Sequence, residues 1–228
     1  MGLYIDTDLN GTKRFLVNKS KNMDQEEEYL KICDELKKII EKTSEPLEGN
    51  CVYKHLSFEK WDCLINKRKN YRAAVRGKNM ICEIGFNAGH SLLAMILVNP
   101  NAQYVLFDLG VHKYSKVCFD YIKNKFPNIK MEIYWGDSRE TISKYQIKNP
   151  KVKFDMIHID GCHKQEVYSV DWKNSLRISS PGSFLIFDDT DDNKINYFID
   201  TEIGKGVVRE AEGFLETFGY QHRILVRL

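Results

Sequence analysis

From Asn79 onward the chain alternates short β-rich apolar runs with longer segments whose apolar residues recur at helical spacing. This is the pattern of a parallel sheet covered by helices on both faces. The runs predict strands over 80 to 85, 103 to 108, 130 to 134, 154 to 160 and 183 to 188. Helices are predicted near 89 to 98, 113 to 126, 138 to 147, 164 to 178 and 192 to 204. Between Gly213 and Leu228 two further β-rich runs, broken at Gly219-Tyr220, predict a closing antiparallel hairpin. Upstream, Asp24 to Ile40 begins with acids and carries Leu30, Ile32, Leu36, Ile39 and Ile40 at amphipathic helical spacing. After a turn at 44 to 50, a second helix is expected with Ser57 as its N-cap. Residues 1 to 23 show no sustained periodicity and read as an irregular leader or a short peripheral element. The expected organisation is one domain, with 1–77 as a leader and helical cap and 78–228 as the core.

Composition narrows the class. A hydrophobic share of 43% over 228 residues supports a packed core, and 29% charged residues argue against a membrane protein. The net charge of +2 argues against a general nucleic-acid binder, and the basic run Asn66-Lys67-Arg68-Lys69-Asn70 reads as a solvated helix face. Six cysteines without a Cys-x-x-Cys pair or a zinc spacing read as reduced thiols. The polar start and the lack of a long apolar run predict neither a cleavable leader nor a membrane span, so a cytoplasmic location is expected. The N-terminal helices offer a lid, an acceptor wall or a homodimer face.

The first predicted core strand, Met80 to Ile84, runs into Gly85-Phe86-Asn87-Ala88-Gly89-His90-Ser91. A tight strand-to-helix turn needs glycine where φ is positive or backbones approach closely, and Gly85 and Gly89 stand at such places. Glu83, two residues before the first glycine, would repel a pyrophosphate but attract the ammonium of a methionine moiety. That favours S-adenosylmethionine over a dinucleotide, although a plain structural turn has the same glycines. Asp108 ends the next strand, where it either accepts from both ribose hydroxyls or caps the strand end. Asp137, with Ser138, either accepts from an adenine amino group or N-caps the following helix.

Further along, Ile157-His158-Ile159-Asp160-Gly161-Cys162-His163 and Phe187-Asp188-Asp189-Thr190 end two predicted parallel strands. Their C-terminal ends open on one crevice, so Asp160, Asp188 and Asp189 should converge. Carboxylates about 4 Å apart repel by roughly 4 kcal/mol at an effective dielectric near 20 unless a proton or cation intervenes. Mg²⁺, a hard ion suited to oxygen ligands, is the expected cation. Capping by Asp188 or Asp189 is the structural alternative. His163 can face the same crevice as a general base or sit there as a plain helix-start residue, while His158 reads as a satisfied core histidine.

Taken together, Glu-Ile-Gly-x-x-x-Gly-x-Ser, Phe-Asp-Leu, Gly-Asp-Ser, Ile-His-Ile-Asp-Gly-x-His and Phe-Asp-Asp-Thr resemble class I S-adenosylmethionine-dependent methyltransferases. The likeness is to the methyltransferase-24 type, akin to metal-dependent sugar O-methyltransferases, and covers roughly residues 78 to 190. It implies a Rossmann-like α/β fold with a doubly wound, mostly parallel seven-stranded sheet, a C-terminal antiparallel hairpin and N-terminal helices. It implies that Gly85, Asn87, Gly89 and Ser91 surround the methionine part, and Glu83, Phe86 and Asp160 are expected among the cofactor-binding residues. Asp108 would hold the ribose, and Asp137 and Ser138 would lie by the adenine. Asp160, Asp188 and Asp189 would hold Mg²⁺, with His163 as base. A sugar or glycan hydroxyl is the expected acceptor and a catechol-like phenol the runner-up. A non-catalytic nucleotide-binding module and an NAD-dependent reductase are the rivals from other classes.

Overall fold

The computed structural model describes residues 5–7, 13–15, 19–217, 219 and 221–228, with side-chain surroundings from Gln25 onward. Seven strands form the main sheet: β3 (Met80–Ile84), β4 (Gln103–Asp108), β5 (Lys130–Trp135), β6 (Phe154–Ile159), β7 (Ser179–Asp188), β8 (Val208–Glu210) and β9 (His222–Arg227). Their order is β5-β4-β3-β6-β7-β9-β8. The first five are parallel, and β9 runs antiparallel between β7 and β8. The chain thus starts the sheet at its centre and winds outward in both directions. That order opens a crevice at the carboxyl ends of β3, β4 and β6.

Alternation along each strand builds two cores. Ile81, Tyr104, Leu106, Met156 and Ile186 pack on one side with α1 (Lys19–Glu41), α3 (His90–Ile96) and α4 (Lys113–Lys125). Cys82, Ile84, Val105, Phe107, Ile157, Leu185 and Phe187 pack on the other with α5 (Ser138–Lys148), α6 (Gln165–Ile178) and α7 (Asn193–Gly204). Both cores draw on fully buried side chains, each stabilising by about 1.5 to 3 kcal/mol relative to exposure. Tyr29, Ile32, Leu36 and Ile40 of α1 belong to the first core, so this helix is packed into it. None of the six cysteines forms a disulfide.

Four expectations are corrected. Helix α1 begins at Lys19 rather than Asp24, since nothing in Lys19 to Met23 breaks a helix and the acids fall one turn inside it. Before it, β1 (Ile5–Thr7) and β2 (Lys13–Phe15) form a two-stranded antiparallel pair, so a short peripheral element is present.

Ser57 caps no helix. Lys54 N–H donates to Glu59 O (2.9 Å) and Trp61 N–H to Val52 O (2.8 Å), which makes residues 52 to 61 a tight reversal with Ser57 near its tip. The Ser57 hydroxyl accepts from Glu59 N–H (3.2 Å) and closes that turn instead. A 3₁₀ turn, Asp62–Leu64, then leads into α2 (Ile65–Ala74).

The first hairpin strand is Val208–Glu210 and not the run after Gly213. Leu215 donates its N–H to Asn70 Oδ1 (2.8 Å), and its carbonyl accepts from Asn70 Nδ2 (2.7 Å), which commits this segment to α2 rather than to the sheet. Tyr220, half of the expected break, lies outside the described residues.

The basic run is not a solvated face. Lys67, Arg68 and Asn70 are buried. Arg68 donates to Glu26 Oε1 (2.6 Å) and to the Cys51 carbonyl (2.8 Å), Arg72 also donates to Glu26, and Asn70 holds Leu215 and His222.

Candidate active site

A cleft of about 560 Å³ lies at the carboxyl ends of β3, β4, β6 and β7, a volume suited to a drug-sized ligand. Its floor is made by Gly85, which has φ of +93° and whose added Cβ would stand 1.8 Å from the Asp160 carbonyl oxygen. Glycine is therefore required there both by conformation and by the approach of β6. Gly89 begins α3 at φ +83°, and an added Cβ would meet the Phe86 ring at 2.6 Å.

Of the expected cofactor residues, Gly85, Asn87, Asp108, Asp137, Ser138 and Asp160 line this cleft. Phe86, Gly89 and Ser91 instead surround a small recess behind the turn. Glu83 lines neither space. It is wholly buried, accepting from Ser91 Oγ at 2.5 Å and lying 3.0 Å from His158 Nδ1, and its Oε2 has no hydrogen-bond partner among the described residues.

Asp108 accepts from the Asn87 N–H on one oxygen (2.8 Å) and the Gly110 N–H on the other (2.7 Å). Those bonds fix the carboxylate plane and leave lone pairs toward the cleft. Leu109 and Val111 follow, 60% and 65% exposed, as an apolar rim on the same cleft. Asp137 does N-cap α5, accepting from Arg139 N–H (3.0 Å) and from its guanidinium, while also lining the cleft. These features fit S-adenosylmethionine: a glycine-floored approach, a paired acid for vicinal hydroxyls and an apolar rim for a purine.

The second half of the cleft holds Asp160, His163, Asp188, Asp189 and Asp191, walled by Tyr53, His55, Trp61, Lys67 and Gln221. His163 Nε2 stands 2.7 Å from Asp189 Oδ2. That hydrogen bond outweighs partial burial and holds the imidazole pKa up at about 9. Asp189 itself has φ of +56°. Asp188 is buried, with Lys67 Nζ 2.6 Å from its Oδ2 and the Tyr71 hydroxyl donating to the same oxygen at 3.1 Å. Burial disfavours its charge, but Lys67, His158 and His222 around it hold its carboxyl well below the usual range. Asp160 is driven the other way, upward, by burial and by its two acidic neighbours.

His158 has more than a packing role. Burial alone would lower its pKa, but Asp188, Glu83 and Asp160 hold it at about 10, so it carries a proton at neutrality. Its Nε2 lies 3.9 Å from Asp188 Oδ2 and 4.0 Å from Asp160 Oδ2, beyond hydrogen-bond reach but within strong Coulombic range.

Atoms of His158, Asp160 and Asp188 lie within 4.8 Å of one another, as a metal's ligands would. The donor set nevertheless does not fit Mg²⁺. One donor is an imidazole nitrogen, Asp188 already holds an ammonium, and Asp189 is committed to His163. Mg²⁺ takes oxygen donors in a near-octahedral shell.

Sequence reasoning missed Lys67 and Tyr71. The signal was present: in α2 no apolar stripe exists unless Tyr71 and Ala74 are joined by Lys67 and Asn70 at i−4, so the buried face had to be partly polar.

A family model described as a methyltransferase domain matches residues 82–190. No curated protein matches the chain. Among solved structures, an O-methyltransferase from Bacillus cereus in complex with SAH aligns with a TM-score of 0.64 at 17% identity, covering 86% of this chain and 90% of that one. TomG, an O-methyltransferase from Streptomyces achromogenes involved in tomaymycin synthesis, in complex with SAM, aligns at 0.58 and 14%, covering 84% and 88%. CalS11, a TDP-rhamnose 3'-O-methyltransferase of calicheamicin biosynthesis, aligns at 0.53 and 21%, covering 73% and 78%.

Proposed function

We propose that this chain is a class I S-adenosylmethionine-dependent methyltransferase, matched by the methyltransferase-domain model over residues 82–190, and that it methylates a hydroxyl of a small sugar-like acceptor. The observation that carries the reading is one continuous cleft joining the Gly85 turn and Asp108 to the His163–Asp189 pair. Bound S-adenosylmethionine would supply a methyl group on a positively charged sulfur.

The chain's own residues then have separable tasks. Asp108 accepts from vicinal hydroxyls, Asp137 and Ser138 offer polar contacts to the purine edge, and Leu109 and Val111 cover its face. Trp61 lines the same cleft and offers an aromatic surface on which an acceptor ring can rest. His163, oriented through Nε2 by Asp189, has Nδ1 left to take the acceptor's hydroxyl proton. In that step the O–C bond forms as the S–C bond breaks, the sulfur keeps the electron pair, and the proton ends on His163. Holding both reactants in line can supply about 7 to 11 kcal/mol, and base assistance about 10² to 10⁴ in rate.

A sugar acceptor is favoured because the cleft combines aromatic walls with hydrogen-bonding acids, and because one structural neighbour is a TDP-rhamnose methyltransferase. Mg²⁺ forms no part of this mechanism.

Calorimetric titration with S-adenosylhomocysteine, with NADH as the control, tests the donor half. Binding of the former that is weakened about 10-fold or more by Asp108→Ala, through two lost hydrogen bonds, is the expected result. NADH binding without S-adenosylhomocysteine binding would overturn the reading. A panel of nucleotide-linked sugars and catechols then tests the acceptor.

A further inference from the structure

We infer that Lys67 is the resident cation of the acceptor half, standing in for a divalent metal, so that this site works without one. The inference rests on the methyl-transfer reading only for what the site does; the placement of Lys67 is independent of it. Lys67 reaches from α2, an element outside the residues matched by the methyltransferase-domain model, into the carboxyl ends of β6 and β7. Its side chain is 8% exposed, and its Nζ lies 2.6 Å from Asp188 Oδ2 while still lining the cleft.

Charge balance supports this assignment. Glu83, Asp160 and Asp188 face Lys67 and His158, while Asp189 is matched by His163. A lone buried ammonium would be costly, but at 2.6 Å Asp188 Oδ2 gives this one a buried counterion. The cluster is already close to neutral. A dication bound to Asp188 would stand beside the Lys67 ammonium already on that carboxylate, and the repulsion on a double charge is twice that on a single one. It would also have to displace the ammonium from Asp188. Removing the Lys67 charge reverses the balance, leaving a buried carboxylate in need of a counterion.

The test uses the full chain, Mn²⁺ as the metal probe by electron paramagnetic resonance, and S-adenosylhomocysteine as the ligand probe by calorimetry. The wild type should take up no Mn²⁺ below millimolar concentration, and Lys67→Gln should bind it at least about tenfold more tightly, with Lys67→Arg behaving as the wild type. Micromolar Mn²⁺ binding by the wild type, or no gain in Lys67→Gln, overturns the inference. Should circular dichroism show Lys67→Gln unfolded, the wild type decides alone. In its isotope-labelled lysine spectrum the Lys67 ammonium signal should be unmoved by added Mg²⁺, and displacement of that signal overturns the inference. S-adenosylhomocysteine binding is measured in the same samples with chelator present. Its absence would sink the methyl-donor reading and leave the Mn²⁺ result to decide Lys67.

Discussion

A single hydrogen bond changes what His163 can do at a given pH. Its ordinary pKa near 6.5 would make it a ready base at neutrality, but the bond to Asp189 lifts that value to about 9. Two units below the raised value, at neutrality, only about one molecule in a hundred holds the neutral ring. If His163 accepts the acceptor's proton, initial rates should climb from neutrality and level off near pH 9, and Asp189→Asn should move the climb to lower pH. A flat profile over that range in the wild type would remove His163 from the proton transfer. The stability linkage has the opposite sign. Because the folded pKa is raised, the His163–Asp189 pair contributes fully below the unfolded value near 6.5, and its contribution is lost as pH rises through about 9. His163 is legible in the sequence as a crevice residue. Its partner is not, because the pairing depends on the left-handed backbone at Asp189 that turns the carboxylate toward it.

At the scale of elements, the pattern located the central strands and α3 to α7 to within a few residues, since each is long, apolar and strongly periodic. It failed in the segments that serve the site. Residues 52 to 61 form a reversal whose stability comes from cross-turn backbone bonds, and α2 hides its basic residues against partners far away in sequence. Glu26 of α1 is one such partner, gripping Arg68 and Arg72 of α2, whose guanidinium groups also lie over the Tyr29 ring. Glu26→Ala should therefore destabilise the fold by about 2 to 3 kcal/mol, somewhat under the cost of breaking a fully buried pair because Glu26 keeps part of its hydration. Chemical denaturation measures it. A loss within a few tenths of a kcal/mol would show that the two arginines find other partners.

In the whole molecule, the N-terminal helices and the sheet are one packing unit, with Tyr29, Ile32, Leu36 and Ile40 sharing a core with Ile81, Leu92 and Tyr104. Heating should accordingly give a single transition with coincident near- and far-ultraviolet signals, and an early, separate melting of the helices would contradict that reading. No described helix is long and apolar enough to cross a membrane. The sequence by itself determined the alternating α/β order, the glycine turn after Ile84 and the acids that end β4, β6 and β7, because these depend on local periodicity, backbone freedom and strand direction. Only the tertiary structure decided which charges neutralise one another. It drew Glu83 under the turn to His158 and brought Lys67 onto Asp188. Such pairings are fixed by packing between distant segments, and no local pattern encodes them.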